Sequence, residues 1–193
     1  TAAQNNLNTV LLDDKNNLGG TTLFQDDECF KINNSYSNKW LKKEIESLNS
    51  FKNLTIKTRT TLAAYHSYNY LLARENLTDH LSLIEKKDKI RQRLWKIRAK
   101  KVIIATGSIE RPLIFNNNDR PGVILSSSIK KYIDYYGVKC GQKISLFTNN
   151  DTAYETAISL NKSGVTVNSV IDIRDKSNSS IVKEAEKLGI KCW

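Results

Sequence analysis

One stretch near the middle of the chain limits what the chain can fold into more than any other. It reads Lys101-Val-Ile-Ile-Ala-Thr-Gly-Ser-Ile-Glu-Arg-Pro112. The apolar run Val102–Ala105 predicts a strand buried on both faces, and Gly107 lets the backbone turn sharply where that strand ends. Such a turn is what a dinucleotide meets at the carboxyl edge of a parallel sheet. A core strand followed by an ordinary loop is the alternative for these residues alone.

Composition excludes several classes of protein. The 193 residues suffice for one large or two small domains and carry a formal charge of +10. The lysines are scattered among asparagines and isoleucines, without a basic stripe interleaved with aromatic residues, so a compositional bias is favoured over nucleic-acid binding. No apolar run is long enough to span a membrane and no secretory signal is present, so we expect a cytoplasmic protein. The chain holds no methionine, and we expect a fragment of a longer polypeptide.

Cysteine and histidine offer no reactive cluster. Cys29, Cys140 and Cys192 are far apart and form no C-x-x-C pair, which disfavours both a zinc site and a redox-active dithiol. His66 and His80 have no cysteine or carboxylate cluster near them. We therefore expect free thiols, no metal site and no catalytic residue in this chain.

The first residues resemble half of a nucleotide-binding unit. Thr9–Leu12 reads as a strand, Asp13 and Asp14 follow directly, and a polar loop leads to Gly19-Gly20. The second strand of a βαβ nucleotide unit ends in an acid whose carboxylate accepts hydrogen bonds from the adenosine ribose. We expect the first strand and its glycine-rich turn to lie before Thr1, which would leave the unit incomplete.

Four further predictions complete the first half. Helical spacing of apolar residues predicts a helix over 38–48. Alternation predicts a strand over 54–62. We expect more strands over 66–72 and 81–85, and a strand over 90–97 whose hairpin leads into the run at Val102. Residues 54–98 would then form a small β-meander.

The second half follows a β-α-β-α-β order after a helix over 126–136. The predicted strands are 142–147, 165–171 and 189–193, and the predicted helices are 151–162 and 180–188. Thr148 and Asn150 stand where a dinucleotide-binding turn needs glycine. We expect this unit to keep the fold and to bind a dinucleotide weakly or not at all, with other polar ligands of Asn149–Asp151 as the alternative.

These elements predict an α/β, Rossmann-like two-dinucleotide-binding fold that is incomplete and carries a small β-meander insert. Residues 1–122, which include the meander, would form a partial first dinucleotide-binding domain of the FAD or NAD type. Residues 123–193 would form a partial second Rossmann-like unit.

The order of the motifs resembles that of a known superfamily. A strand followed by Asp13-Asp14, then Gly19-Gly20, then Thr58-Arg-Thr-Thr61, then Ala105-Thr-Gly-Ser-Ile-Glu-Arg-Pro112 is similar to the two-dinucleotide-binding flavoproteins. The Glu-Arg-Pro ending resembles the members that oxidise amines and amino acids.

Three more stretches narrow the resemblance. They are Arg91-Gln-Arg-Leu-Trp-Lys-Ile-Arg98, Asn117-Asn-Asp-Arg-Pro-Gly-Val123 and Phe147-Thr-Asn-Asn-Asp-Thr-Ala-Tyr154. Together they resemble the alpha subunit of heterotetrameric sarcosine oxidase over nearly the whole chain. This chain would be the central, nucleotide-binding part of such a subunit.

The resemblance implies an activity for the complex. Such complexes demethylate sarcosine to glycine, reduce oxygen to hydrogen peroxide and transfer the one-carbon unit to tetrahydrofolate. The alpha subunit binds NAD in this region, and FAD and FMN sit in or against the beta subunit. The implied partners are the other subunits of a hetero-oligomeric oxidase, and no sarcosine-oxidising residue is expected here.

The resemblance also implies a set of NAD-binding residues. Asp14 holds the position of the ribose-binding acid, where a carboxylate would repel the 2′-phosphate of NADP. Gly20 permits close approach, and Thr21 offers an N–H and a hydroxyl to the pyrophosphate. Leu62, taken to end a meander strand, offers backbone groups to adenine. The full set is Asp13, Asp14, Lys15, Gly20, Thr21, Leu62, Thr106 and Gly107.

Other functions stay open at this point. A related amino-acid or opine dehydrogenase usually keeps the glycines that Thr148 and Asn150 replace. A thioredoxin-reductase-like enzyme would need a C-x-x-C pair. A non-catalytic assembly module would hold NAD as a structural element and dock other subunits, and it is compatible with membership of an oxidase complex. A basic nucleic-acid binder would show salt-sensitive binding to DNA.

Overall fold

The computed structural model describes residues 1–24, 31–175 and 179–193. The described chain forms two compact units. The first comprises Thr1–Leu23 with residues 31–106, and the second is mainly Gly107–Trp193. The domain boundary predicted between residues 122 and 123 falls inside the second unit, and as a statement about domains it stays a prediction.

The first unit contains a parallel pair of strands. Strand β1 (Thr9–Leu12) runs beside β4 (Leu54–Lys57), with Thr9 opposite Leu54 and Leu12 opposite Lys57. Helix α1 (Ser37–Asn49) lies between them in sequence, after the short antiparallel strands β2 (Lys31–Ile32) and β3 (Ser35–Tyr36). Two parallel strands joined by a helical crossover form a βαβ unit, and the predictions of β1 and α1 are confirmed.

The meander has three antiparallel strands in the order β5, β6 and β7. They span Thr60–His66, Tyr70–Asn76 and Gln92–Arg98. The single strand predicted over 54–62 is wrong, because the chain turns between β4 and β5 and Arg59 adopts a φ of 51°. The strand predicted over 66–72 begins only at Tyr70, after a 3-10 turn at Ser67–Asn69.

The strand predicted over 81–85 is also wrong. These residues form turns, and Leu83 and Ile84 are 80% and 89% exposed. Strand β6 pairs with β5 on one side and with β7 on the other. Residues 81–85 pair with no strand of this sheet, and their apolar side chains stay exposed in turns.

The buried strand predicted at Val102–Ala105 is not formed. Residues 101–115 have no regular structure, and Ile103 and Ile104 are 86% and 64% exposed. An apolar run becomes a buried parallel strand only where neighbouring strands satisfy its N–H and C=O groups. Within the described chain, residues 102–105 pair with no strand.

The second unit is the predicted β-α-β-α-β arrangement, preceded by α2 (Ser126–Asp134). Parallel strands form a sheet in the order β10, β9, β8. Val170, Ala157, Leu160 and Ala185 are at most 1% exposed and form the centre of its core. The remaining elements are β8 (Lys143–Thr148), α3 (Thr152–Lys162), β9 (Thr166–Asp172), α4 (Ser180–Lys187) and β10 (Lys191–Cys192).

An acidic residue from the central motif caps α2. The residue before the helix is Leu125, which has no side-chain acceptor for the first free N–H groups. Glu110 supplies both acceptors: Ser126 N donates to its Oε1 at 3.3 Å and Ser127 N to its Oε2 at 2.7 Å. The carboxylate compensates the positive end of the helix and fixes the segment after Gly107 to this unit.

Two features of the whole described chain bear on its class. Cys140 and Cys192 are free thiols, whereas Cys29 lies outside the described residues. Over residues 1–24, 31–175 and 179–193, no helix combines the length and the apolarity that crossing a bilayer requires.

Candidate functional site

The candidate site lies in the turn that follows β1. Asp13 extends the parallel pairing, because its N–H donates to the Lys57 carbonyl at 2.9 Å. The N–H of Lys15 donates to Asp13 Oδ1 at 2.8 Å. This local turn uses the Asp13 carboxylate to hold its own backbone. Asp14 is therefore the acid of the pair that is presented outward.

The start of β5 supports the same turn. Thr60 N donates to the Asp13 carbonyl at 2.8 Å, and Arg59 N donates to the Lys15 carbonyl at 2.7 Å. Thr60 is 1% exposed, and its hydroxyl donates to the Thr58 carbonyl. Sequence reasoning missed these supporting residues. The signal was the polar run Thr58–Thr60, which interrupts the apolar alternation.

The Asp14 carboxylate is accessible to a ligand. Its side chain is 54% exposed, and Oδ2 accepts from the Lys15 ammonium at 2.6 Å. Among the residues that the structure describes, Lys15 is the only partner of this carboxylate. An exposed ion pair of this kind contributes at most about 1 kcal/mol. Hydroxyl groups of a ligand can therefore bind Asp14 at small cost.

The two adjacent glycines differ in their surroundings. Gly19 has a φ of 131°, and a Cβ there would lie 2.6 Å from Leu41 Cδ2 and 3.0 Å from Leu23 Cγ. Gly20 has a φ of 56°, and no atom lies within 4 Å of its Cβ position. Gly19 thus allows close packing on α1, whereas Gly20 leaves open space beside the exposed Thr21.

The remaining residues of the predicted NAD-binding set are Leu62, Thr106 and Gly107. Leu62 is the third residue of β5 and pairs with Ala73, so it does not end a strand as predicted. Thr106 and Gly107 are exposed in the irregular segment, and Gly107 has a φ of 69°. Asp14 belongs to the first unit and Gly107 to the second. Binding of one ligand by both residues stays a prediction.

The corresponding turn of the second unit is filled by side chains. The Thr148 hydroxyl donates to the Asn150 carbonyl at 3.0 Å and accepts from the Asn150 N–H at 3.1 Å. Asn150 Oδ1 accepts from Thr152 N at 3.0 Å and also from the Thr152 hydroxyl. The Thr152 N–H and hydroxyl at the start of α3 are therefore satisfied by the turn itself.

An ion-pair cluster lies at the end of β9. The Arg174 Nη2 atom lies 2.7 Å from Asp172 Oδ2 and 2.6 Å from Asp151 Oδ1. The Arg174 hydrogen bonds hold the pKa of Asp172 below its ordinary value, against the effect of burial. Tyr154 donates to Asp172 Oδ2 at 3.1 Å. Burial, followed by the Asp172 charge, raises the pKa of Tyr154 to about 12.

Metal ligation is not indicated by the part of the chain that the structure describes. Within it, no three His, Cys, Asp or Glu side chains are grouped so that they could hold an ion.

Comparison with known proteins gives one consistent group of relatives. No family model matches the chain. It is 35% identical over 179 residues to sarcosine oxidase subunit alpha of Corynebacterium sp. (strain U-96). The matched region covers 93% of this chain and 18% of that protein. It is 32% identical over 188 residues to sarcosine oxidase subunit alpha of Rhizobium meliloti (strain 1021), covering 94% and 19%. The chain thus spans about a fifth of the length of these curated relatives.

A solved structure shares the fold. The L-proline dehydrogenase from P. horikoshii matches with a TM-score of 0.66 and 25% sequence identity, over 91% of this chain and 33% of that one. The chain thus has a mixed α/β fold with parallel sheets that an amino-acid dehydrogenase also contains. In sequence the chain is similar to sarcosine oxidase alpha subunits, and the resemblance predicted from its motifs is confirmed.

Proposed function

We propose that this chain is the nucleotide-binding part of a sarcosine oxidase alpha subunit and that it binds NAD at the turn after β1. One observation carries the proposal. The exposed Asp14 carboxylate lies at the end of β1 in a parallel β1-α1-β4 arrangement. This is where a Rossmann-like unit, here incomplete, presents an acid to the adenosine ribose.

The neighbouring residues suit a nucleotide. Asp14 would accept hydrogen bonds from both ribose hydroxyls, replacing its bond to Lys15, and Asp13 would keep the turn in shape. The open space at Gly20 admits the pyrophosphate, to which Thr21 offers its hydroxyl and N–H. Backbone groups of Leu62 would meet adenine, and Thr106 and Gly107 stay candidate contacts. A 2′-phosphate would meet the Asp14 charge, so the site favours NAD over NADP.

The activity proposed for the whole protein is the oxidative demethylation of sarcosine to glycine. Bound flavins, FAD and FMN, would accept the electrons and pass them to oxygen, and tetrahydrofolate would receive the one-carbon unit. In this assignment, the residues of this chain bind and orient NAD, and none of them reacts with sarcosine. The proposed partners are the other subunits of a hetero-oligomeric oxidase in the cytoplasm.

A titration of the assembled full-length protein with NAD tests this proposal. Asp14→Asn removes the charge that strengthens the ribose hydrogen bonds, and we expect the dissociation constant to rise by about tenfold or more. Asp79→Asn is the matched control, because Asp79 is an exposed carboxylate of the same unit that bonds to Arg91. Equal affinity of the Asp14→Asn variant and the wild type would refute the assignment of the ribose-binding acid.

A second candidate role concerns what the nucleotide does. The curated relatives are named as subunits, and an assembly module in which NAD is structural is compatible with those names. If NAD exchanges hydride with the flavins, added NADH will bleach the flavin absorbance of the anaerobic complex. If NAD is structural, NADH will leave that absorbance unchanged, although Asp14→Asn will weaken subunit association.

A further inference from the structure

The second unit has the chain path of a nucleotide-binding β-α-β unit, yet its own side chains take the places by which such a unit holds its ligand. We infer that Asn150 and Arg174 exclude dinucleotides from the second unit. The inference is independent of the site proposed at Asp14.

The place for the pyrophosphate is taken by the turn after β8. In a βαβ nucleotide site, the phosphates bind the first N–H groups of the helix across a glycine turn. Here the Thr152 N–H donates to Asn150 Oδ1 at 3.0 Å. The Thr148 side chain, with the whole residue 4% exposed, fills the turn and bonds to the Asn150 backbone in both directions. A phosphate would have to break these bonds and displace side chains that glycine lacks.

The place for the ribose is taken at the end of β9. Asp172 occupies the position of the ribose-binding acid, and its side chain is only 7% exposed. Its carboxylate already accepts bonds from the Tyr154 hydroxyl and from Arg174 Nε and Nη2. A ribose hydroxyl that bound Asp172 would take the place of the charged Arg174 guanidinium. The neutral hydroxyl is the weaker donor of the two.

Asp151 is a second partner of Arg174 and so adds to the bonds that a dinucleotide would have to break. It lies directly before α3 and binds Arg174 Nη2 at 2.6 Å, while Asp172 binds the same guanidinium from the end of β9. Arg174 therefore joins the turn before α3 to the strand end that follows the helix. Asp151 and Asp172 both bind the Arg174 guanidinium, which a dinucleotide would have to displace from both.

Amide hydrogen exchange of the assembled full-length protein, with and without saturating NAD, tests the inference. We expect no change in deuterium uptake over residues 146–156 and 170–175. Protection over residues 10–23 reports on the separate proposal at Asp14, and its absence would overturn that proposal while supporting exclusion from the second unit. Protection of 146–156 that persists in the Asp14→Asn variant would overturn the inference.

A second variant tests the part assigned to Arg174. Arg174→Gln should raise the exchange rates of amides 149–153 about tenfold, since hydrogen bonds to a charged group are lost. Arg120→Gln is the matched control, because Arg120 is an exposed residue of the same unit that makes no ion pair with any described residue. Unchanged exchange in Arg174→Gln would show that the guanidinium does not hold this edge closed and would overturn its role.

Discussion

Gly19 and Gly20 are neighbours in sequence, yet their surroundings predict different consequences of substitution. Gly19→Ala would force a Cβ to 2.6 Å from Leu41 Cδ2 at a φ of 131°, and we expect a loss of about 2–3 kcal/mol of stability. Gly20→Ala meets no atom within 4 Å, so only the left-handed backbone opposes it, at a cost of about 1 kcal/mol.

The two alanine variants are compared by their midpoints of thermal unfolding and by their affinities for NAD. Gly19→Ala should unfold at the lower temperature. Gly20→Ala should keep most of its stability and lose affinity, because the methyl group occupies the space proposed for the pyrophosphate. The reverse order of stabilities would contradict the packing described here for Gly19.

Asp172 gives the stability of the protein a defined dependence on pH. Its pKa is lowered in the fold by Arg174, so the folded state holds the charged form more strongly than the unfolded state does. This contribution is present above the ordinary pKa of about 4 and is lost as the pH falls through the lowered value. We expect Asp172→Asn to cost about 2 kcal/mol at neutral pH and progressively less below pH 4.

The pH dependence is checked by thermal unfolding of the wild type and Asp172→Asn between about pH 3 and pH 7, with midpoints compared at each pH. Asp119→Asn, at an exposed acid of the same unit, serves as the control and should follow the wild type. A difference between Asp172→Asn and the wild type that is constant across this range would show that the Asp172 charge adds no stability.

At the scale of elements, Glu110 gives α2 its N-terminal cap from outside the helix. Glu110→Ala leaves the Ser126 and Ser127 N–H groups without their acceptor, and we expect α2 to lose about 1 kcal/mol. The amides of α2 should then exchange roughly fivefold faster. The control, Glu184→Ala on α4, removes an exposed carboxylate and should leave α2 unchanged. Equal exchange rates of α2 in all three proteins would mean that Glu110 is not its cap.

Most elements of the fold could be predicted from local sequence patterns. Helices α1 to α4 carry apolar residues at helical spacing, and a positive-φ glycine follows three of them at Gly137, Gly164 and Gly189. The failures are segments whose structure depends on partners. Val102–Ala105 is apolar enough for a core strand, yet within the described chain it pairs with no strand. Leu83 and Ile84 are exposed in turns that pair with no strand of the described sheets.

Part of the candidate site could also be predicted from local sequence patterns. The acids after β1 are visible because strand, acids and glycines are consecutive in sequence. Only the structure separates Asp13, which is bound by its own turn, from Asp14, which is presented outward. The support from Thr60 and the contact of Arg174 with Asp151 depend on contacts distant in sequence, which no local pattern contains.

At the scale of the whole molecule, each of the two units contains a β-α-β segment. We predict that the segment of the first unit binds a dinucleotide and that the segment of the second does not. The first presents an exposed acid and an open glycine at its strand end. In the second unit, Arg174 binds the Asp172 carboxylate and Asn150 accepts from the first N–H group of α3. We therefore expect one dinucleotide for each copy of the chain.

The most direct test is an experimental structure of the assembled full-length protein with NAD. The account predicts one nucleotide per chain, with an adenosine ribose hydroxyl about 2.5–3.0 Å from an Asp14 carboxylate oxygen and with Arg174 still bound to Asp172. A nucleotide seated against Asp172 and the start of α3, with the turn after β1 unchanged, would contradict it.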